Sequence, residues 1–311
     1  MNDITHPSKH KPTVSLVLSS GGARGLFHIG AIKSLTERGY DVRYVSGSSM
    51  GALVGGIYAA GKLDEFAEWV SELRRGDIVK LLDFGWGANA GLFKGERIIS
   101  FLQELVGEFD IEDLPIGYTA VAAELNRKRE VWISSGSLFG AIRASIAIPL
   151  VLSPAVRGDQ LLVDGAVLNP LPIAPALTQH NDLIVAIDVN GMDEHSLNPQ
   201  RPVAGSQSPI VEDSKEEIEE QSSIRVALTN FMDDFFTSDE PDKIDHGMFD
   251  IATESMDAMQ VTISRLKLSV YSPDLLVQVP RNVAHFFEFD RAKELIELGY
   301  QRMEEALGED E

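Results

Sequence analysis

A serine between two glycines is the first candidate for chemistry in this sequence, in the run Gly47-Ser48-Ser49-Met50-Gly51. The G-x-S-x-G spacing is typical of a nucleophile at a sharp turn from a strand into a helix. Such a turn strains the backbone of the serine, and the glycines avoid clashes with the neighbouring chain. The hydroxyl of Ser49 would lie above the sheet, with a helix N-terminus behind it that favours a developing oxyanion.

The segments on either side of this motif support that interpretation. Residues 42–46 form an apolar run that predicts a strand, and residues 52–60 are mostly small and apolar and predict a helix. The pattern by itself is weak in a chain rich in glycine and serine, and a glycine-lined turn without chemistry is the alternative. The strand before it and the helix after it favour a nucleophile at Ser49.

A second glycine-rich turn follows an earlier apolar strand at residues 14–18. It contains the candidates for an oxyanion hole, Gly21, Gly22, Ala23, Arg24 and Gly25. Paired glycines let several backbone N–H groups point into one concavity, which suits a phosphate or an oxyanion. The spacing of its glycines does not match the G-x-G-x-x-G pattern of dinucleotide sites. The loop also lacks the Lys followed by Ser or Thr that a P-loop requires. Beside an exposed serine, an oxyanion hole is favoured over an anion nest or a simple turn.

A nucleophilic serine needs a base, and Asp164 is the candidate acid. It follows the apolar residues 161–163 and precedes Gly165 and Ala166. We therefore expect it at the carboxyl end of a strand, the edge where parallel α/β sheets carry their sites. Asp-Gly is also a common turn dipeptide, which is the alternative interpretation.

The order of predicted elements sets the fold class. Strand, turn and helix alternate from the start of the chain, which is the rhythm of a parallel sheet with crossover helices. The first helix is expected at residues 24–38. Later strands are expected at residues 116–124, 129–134, 161–164, 183–189 and 275–279, and later helices at residues 94–106, 138–148, 215–236, 247–266 and 290–306. We predict one α/β domain with a mostly parallel central sheet flanked by helices.

Composition divides that domain into four parts. Residues 1–12 predict a flexible leader, residues 13–190 carry the α/β rhythm of the catalytic core, and residues 191–214 predict a loop or disordered segment because Pro, Gly, Ser and Asn dominate. Residues 215–311 are expected to be an acidic helical addition with a strand and helix that complete the same domain. Its two amphipathic helices suit a lid, an acyl-binding wall, a dimer contact or plain core.

Acidic residues outnumber basic ones, 48 to 27, for a net charge of −21. Phosphate backbones repel such a chain, and its densest basic stretch is residues 127–129, so we expect no nucleic-acid partner. Residues 212–257 hold 15 acidic and three basic residues, a net of −12. That segment suits a basic protein partner and allows at most transient contact with a membrane surface. The oligomeric state is left open.

We expect neither a membrane span nor a signal peptide. The longest nearly apolar stretch, residues 51–61, is short of the roughly 20 residues that a spanning helix needs. No early run combines a basic start, an apolar stretch and a small-residue cleavage site. The absence of cysteine fits a reducing compartment, so a cytoplasmic location is expected. Without cysteines or a cluster of acidic ligands around the candidate site, we expect no metal and no cofactor.

Taken together, the motifs resemble those of the patatin-like phospholipases, in particular bacterial members similar to the catalytic domain of neuropathy target esterase. The family's G-G-x-R-G loop is matched at residues 21–25, its G-x-S-x-G elbow at residues 47–51 and its D-G-[GA] motif at residues 164–166. An Ala-Ser segment ending in proline is matched at residues 144–149. Three motifs in the family's order are far more specific than any one of them. The resemblance covers residues 14–189 and the last helix.

The resemblance implies a three-layer patatin-like fold and a lipid acyl hydrolase, with lysophospholipids as the first expected substrates. It implies a Ser-Asp dyad in which Ser49 attacks the ester carbonyl to give an acyl-enzyme and Asp164 acts as the general base. Backbone N–H groups of Gly22 and its neighbours would stabilise the oxyanion. Ala166, where many members have glycine, is an accepted variant. Arg24 has two interpretations, a reader of lipid phosphate and an anchor of its loop.

Two alternatives stand beside that interpretation. An α/β-hydrolase would add a histidine, His285 or His246, to Ser49 and Asp164, although the serine comes early for that fold and no His-Gly-Gly-Gly segment is present. None of the seven histidines is distinguished by the residues around it. A regulatory or binding protein on a hydrolase scaffold would instead use residues 212–257 to dock a basic partner.

Overall fold

The computed structural model describes four stretches of the chain, residues 11–74, 76–77, 93–191 and 248–308. Several predictions fall outside the described residues. These are most of the leader, almost all of the loop predicted at 191–214, the helix predicted at 215–236, most of the acidic segment 212–257, and His246.

One eight-stranded sheet contains the described strands. In chain order they are β1 (Thr13–Leu18), β2 (Asp41–Ser48), β3 (Gly117–Glu124), β4 (Arg129–Ile133), β5 (Ala155–Arg157), β6 (Gln160–Asp164), β7 (Leu183–Gly191) and β8 (Leu275–Pro280). The spatial order is β5-β6-β3-β2-β1-β7-β8, with β4 paired to β3. The pairs from β3 through β2, β1 and β7 to β8 are parallel, which confirms the mostly parallel centre. The pairs of β3 with β4 and β6, and of β5 with β6, are antiparallel, so the sheet is mixed on that side.

Helices flank this sheet. The described helices are α1 (Phe27–Glu37), α2 (Met50–Ala59), α3 (Leu63–Glu72), α4 (Glu96–Val106), α5 (Leu138–Ser145), α6 (Ile173–Ala176), α7 (Met248–Val270) and α8 (Ala292–Gly308). A short 3-10 helix at Gly22–Leu26 precedes α1, so the helix predicted from residue 24 begins as a tighter turn at the glycine-rich loop. Among the described residues, no helix is both long enough and apolar enough to span a membrane.

The middle of the sheet is buried because helices cover both of its faces. Strand β1 is a continuous buried run, as central parallel strands usually are, and its apolar side chains from Val14 to Leu18 have no exposed surface. Helix α2 lies close to the sheet through small residues. A Cβ atom at Gly55 would be 2.7 Å from a methyl of Val45, so this helix needs glycine at that position.

The closing helix packs directly on the first one. A Cβ atom at Gly30 in α1 would overlap the backbone carbonyl oxygen of Ile296 in α8. A Cβ atom at Gly299 in α8 would overlap the backbone carbonyl oxygen of Phe27 in α1. The two helices therefore meet backbone to backbone, and α8 fixes the helix that follows the glycine-rich loop.

One edge of β3 brings the two chemically important strand ends together. Strand β2 pairs with β3 until Ser48 lies opposite Val121, and Asp164 of β6 lies opposite the next residue, Ala122. Strand β4 pairs with residues 120–124 of β3 on the other edge, so β2 and β6 must share one edge. Because β6 is antiparallel to β3, the carboxyl ends of β2 and β6 meet head to head.

Candidate active site

Ser49 lies at the turn between β2 and α2 in a strained backbone conformation. Its φ is 54° and its ψ is −123°, a combination that non-glycine residues rarely adopt. The flanking glycines make this turn possible. A Cβ atom at Gly47 would overlap the backbone of Gly51, and a Cβ atom at Gly51 would overlap the carbonyl oxygen of Leu18. The predicted elbow is thus present, and both of its glycines are sterically required.

The hydroxyl of Ser49 donates a hydrogen bond to the carboxylate of Asp164, with 2.6 Å between Oγ and Oδ2. Both residues are only 3% exposed. The other carboxylate oxygen, Oδ1, accepts from the backbone N–H of Ala166 at 2.8 Å. Between them, Gly165 packs so closely on β3 that a Cβ atom there would overlap the carbonyl oxygen of Val121. Each oxygen of the Asp164 carboxylate is therefore held by one hydrogen bond, from Ser49 or from Ala166.

Burial makes Asp164 a weaker acid than an ordinary aspartate, because it raises the pKa of the carboxyl. Loss of solvent raises the pKa of its carboxyl to about 7, while the hydrogen bonds from the Ser49 hydroxyl and the Ala166 amide lower it by less. A carboxyl with a pKa near neutrality can accept a proton and release it again at the pH of most cells. The pair can therefore move a proton from a serine hydroxyl to a carboxylate.

Ser145 at the end of α5 links the turn at Ser49 to strand β3 through two hydrogen bonds. Its hydroxyl accepts a hydrogen bond from the backbone N–H of Ser49 at 2.9 Å and donates one to the carbonyl oxygen of Val121 at 2.6 Å. The residue is fully buried. Its place in an Ala-Ser motif does not reveal this role in the sequence, because its partners are backbone groups distant along the chain.

Replacing Ser145 by alanine should lower the free energy of unfolding by about 1–3 kcal/mol, because a buried N–H and a buried carbonyl each lose their partner. Turnover should fall as well, since the strained turn at Ser49 loses a support. Urea unfolding and ester hydrolysis measure the two effects. Ser264→Ala is the matched control, because the buried hydroxyl of Ser264 has no hydrogen-bond partner among the described residues. A Ser145→Ala protein as stable as this control contradicts the assigned role.

The predicted oxyanion loop lies beside the nucleophile turn. Its glycines make close contacts that side chains would block, as a Cβ atom at Gly25 would overlap Met50 and one at Gly21 would overlap Val189. Gly22 has a φ of 55°. The N–H of Ala23 donates to the carbonyl oxygen of Phe286 at 2.8 Å. The structure thus brings together the loop, the elbow and the acid, the three sets of predicted site residues.

Arg24 is directed away from solvent and bonded to structural groups. One guanidinium nitrogen donates to the Asn190 side chain at 3.1 Å, the other to the carbonyl oxygen of Ala284 at 3.4 Å, and Asp257 in α7 lies 3.8 Å away. Burial lowers its pKa, and the Asp257 carboxylate opposes that shift. These contacts favour the interpretation of Arg24 as an anchor of its loop over that of a reader of lipid phosphate.

A cavity of about 30 Å³ opens beside Ser49 and Asp164. Its walls are mainly apolar, with Ile148, Pro149 and Val151 on one side and α7 on another. Histidine is absent from the described residues that line it.

His285, one of the two histidines considered as a base, and His28 do not line this cavity. His28 is buried in α1 with its Nε2 atom 2.9 Å from the carbonyl oxygen of Ser19, and burial lowers its pKa to about 4. His285 is exposed, and its backbone N–H donates to Glu288 at 3.0 Å.

With this geometry established, comparison with known proteins identifies the family. Residues 16–177 match the sequence profile described as patatin-like phospholipase. The chain belongs to that family. An uncharacterized NTE family protein of Mycobacterium tuberculosis is 37% identical over 330 aligned residues, which cover 95% of this chain and 91% of that protein. The predicted resemblance and enzyme class are confirmed, and this patatin-like phospholipase is a lipid ester hydrolase.

More distant matches cover parts of larger proteins. The lysophospholipase nte1 of Emericella nidulans is 33% identical over 192 residues, 59% of this chain but 12% of that protein. The crystal structure of VipD from Legionella pneumophila aligns with a TM-score of 0.51 and 16% identity, covering 97% of this chain and 67% of that one. The structural match and the family profile confirm the predicted patatin-like fold.

Proposed function

We propose that this patatin-like phospholipase hydrolyses carboxylic esters of acyl lipids, with lysophospholipids as the preferred class, through a dyad of Ser49 and Asp164. The observation that carries this proposal is the 2.6 Å hydrogen bond from the serine hydroxyl to a buried carboxylate. The strained turn at Ser49 and the adjoining glycine-rich loop support the same reaction.

In the first half of the reaction, the Ser49 oxygen attacks the ester carbonyl and its proton passes to Asp164 Oδ2. The carbonyl oxygen becomes an oxyanion, which backbone N–H groups of Gly22 and Ala23 stabilise. The tetrahedral intermediate then loses the alcohol, which takes the proton back from Asp164. An acyl-enzyme on Ser49 remains.

In the second half, water attacks the acyl-enzyme and gives a proton to Asp164. A second tetrahedral intermediate releases the fatty acid and returns the proton to the Ser49 oxygen. The near-neutral pKa of Asp164 suits this alternation, because the same carboxyl must accept and donate within one cycle.

The apolar walls of the cavity support an acyl substrate. Ile148, Val151 and Val167 lie beside the dyad and suit a fatty-acyl chain. The name of the Emericella nidulans relative, a lysophospholipase, supports a single-chain phospholipid as the substrate class. Against the Ser-Asp-His alternative, the Ser49 hydroxyl donates directly to Asp164, and His285 does not line the cavity, so His285→Ala should not lower activity.

Labelling with a fluorophosphonate tests this proposal. One adduct should form, on Ser49, and should be absent from the Asp164→Asn protein, because the serine oxygen is activated only by the carboxylate. Peptide mass mapping locates the adduct. Ser48→Ala is the matched control, since the neighbouring hydroxyl is buried without a partner in the described structure and its loss should leave labelling unchanged. An adduct on another residue, or none, refutes the proposed dyad.

The activity should rise with pH through about 7. Only the ionised form of Asp164 accepts the serine proton, and its pKa is raised to about 7, so kcat/KM should increase tenfold per pH unit below that value and level off above it. Hydrolysis of a short-chain ester that does not itself ionise gives the profile. A limb near the ordinary pKa of aspartate, about 4, would contradict the raised pKa, and a limb near 7 that persists in the Asp164→Asn protein would mean that Asp164 is not the base.

A further inference from the structure

A backbone carbonyl oxygen of the protein already accepts a hydrogen bond from the proposed oxyanion loop. The carbonyl of Phe286 accepts the hydrogen bond of the Ala23 N–H at 2.8 Å. The same oxygen lies 2.5 Å from the position that a Cβ atom on Gly22 would take, and the Phe286 ring lies 2.8 Å from it. A carbonyl oxygen held by an N–H of this loop makes the hydrogen bond that the ester oxygen of a substrate would make with the same donor.

The side chains of the same segment fill the space beside the nucleophile. The rings of Phe286 and Phe287 line the cavity that holds Ser49 and stack edge to face, with centroids 4.8 Å apart. The remaining volume is about 30 Å³. Such a volume holds about two water molecules, so the two rings and the other walls leave little space for an acyl chain.

Helix α7 covers the cavity from another side through few polar contacts. Gln260 accepts a hydrogen bond from the Ser20 hydroxyl at 3.2 Å, and Asp257 lies 3.8 Å from Arg24 and 3.6 Å from Arg281. Each of these contacts is long for its type. Farther along the helix, Lys267 forms an ion pair with Glu130 at 2.6 Å, so α7 stays anchored there while a ligand can replace its contacts beside the cavity.

We infer that residues 284–289, called the plug segment here, are a built-in inhibitor that takes the place of the substrate ester. This rests on the proposed function. The Phe286 carbonyl occupies the oxyanion donor, and the two phenylalanine rings occupy the acyl space, so hydrolysis requires the plug segment to withdraw. The measured kcat/KM is then the value of the open enzyme multiplied by the open fraction.

Phe286→Ala tests the plug segment, because Phe286 lines the cavity and lies outside the hydrophobic core clusters. We expect the rate constant for fluorophosphonate labelling of Ser49, and kcat/KM for a long-chain ester, to rise by about tenfold or more. Phe101→Ala is the matched control, since Phe101 in α4 is also partly buried outside the core clusters, packs against the ring of Trp69 and does not line the cavity. It should give no increase.

Hydrogen exchange of the phosphonylated protein provides a second readout. The phosphonyl oxygen of the adduct needs the Ala23 N–H, so the Phe286 carbonyl must leave it. Amides of the plug segment, such as that of Phe289, which donates to Phe287 at 2.8 Å, should then exchange faster than in the free protein. Thermal unfolding verifies that each variant is folded.

The outcomes separate the two hypotheses. Equal labelling rates in the wild-type and Phe286→Ala proteins, with unchanged exchange of the plug segment after labelling, overturn the inference while the proposed function stands. Absence of any Ser49 adduct in both proteins overturns the proposed function, and the inference with it.

Discussion

Replacing Asp164 by asparagine should lower kcat/KM for ester hydrolysis by about 10⁴-fold and leave the fold intact. Asparagine keeps the shape of the side chain and can still accept the hydrogen bond of the Ala166 amide. It cannot take the proton of Ser49, and comparable removal of a carboxylate from a serine-hydrolase triad costs about 10⁴ in turnover. Initial rates with purified protein measure the loss. The limb of the pH profile near 7 should disappear from the residual activity.

The same substitution should make the protein more stable above neutral pH. The pKa of Asp164 is raised to about 7 in the folded state from about 3.9 in the unfolded state, so between these values the folded state binds more protons. Stability of the wild type therefore falls as pH rises through this range. Asparagine removes that loss, which is on the order of 4 kcal/mol at pH 8. A variant that is less stable than the wild type there, or that keeps a tenth of its activity, contradicts the assigned role.

Replacing Gly51 by alanine should destabilise the protein by about 3 kcal/mol or more and abolish labelling of Ser49. The added Cβ atom would overlap the carbonyl oxygen of Leu18, which belongs to the central strand β1 and cannot yield. Overpacking against backbone costs more than overpacking against a flexible side chain, because no rotamer relieves it. Urea unfolding and the adduct yield measure the two effects.

Gly140→Ala is the matched control for this prediction. Gly140 lies exposed in α5, and its added Cβ atom would make only ordinary contact with Ser137, at 3.4 Å. Alanine is favoured over glycine inside a helix by about 1 kcal/mol, so this protein should be slightly more stable than the wild type. If Gly51→Ala behaved like Gly140→Ala, the glycines of the elbow would not be sterically required.

Local patterns were sufficient to predict the turns on which the candidate site residues lie. The glycines around Ser49 and the apolar run before it are demanded by a strand-to-helix turn, so they are visible without any tertiary information. The buried strand and turn before Ala23 are predicted in the same way. Helix and strand positions near these motifs agree with the structure to within a few residues.

The way in which Ser49 and Asp164 meet was not predictable from local patterns. Asp164 does follow a strand, as expected, but that strand is antiparallel to β3 and not part of the parallel centre. Strand direction depends on pairing between residues far apart in sequence, which periodicity does not record. The expectation of a common carboxyl edge of parallel strands was therefore wrong about this strand, and a head-to-head meeting replaces it.

The plug segment left no signal in the sequence because its key atom belongs to the backbone. Any residue at position 286 would present a carbonyl oxygen, so no side-chain motif marks it. Ser145 illustrates the same limit, since both of its partners are backbone groups of β3 and the nucleophile turn.

Strand β3 sets the spacing between the two residues of the proposed dyad. Ser48 and Asp164 face consecutive residues of it, Val121 and Ala122, so one peptide step of about 3.3 Å sets the spacing between the nucleophile turn and the base. Inserting a residue between Val121 and Ala122 would displace one half of the proposed dyad relative to the other, whatever the side chains. The cavity walls, by contrast, come from other segments. Substitutions in those segments can therefore change the shape of the cavity without changing the spacing of the proposed dyad.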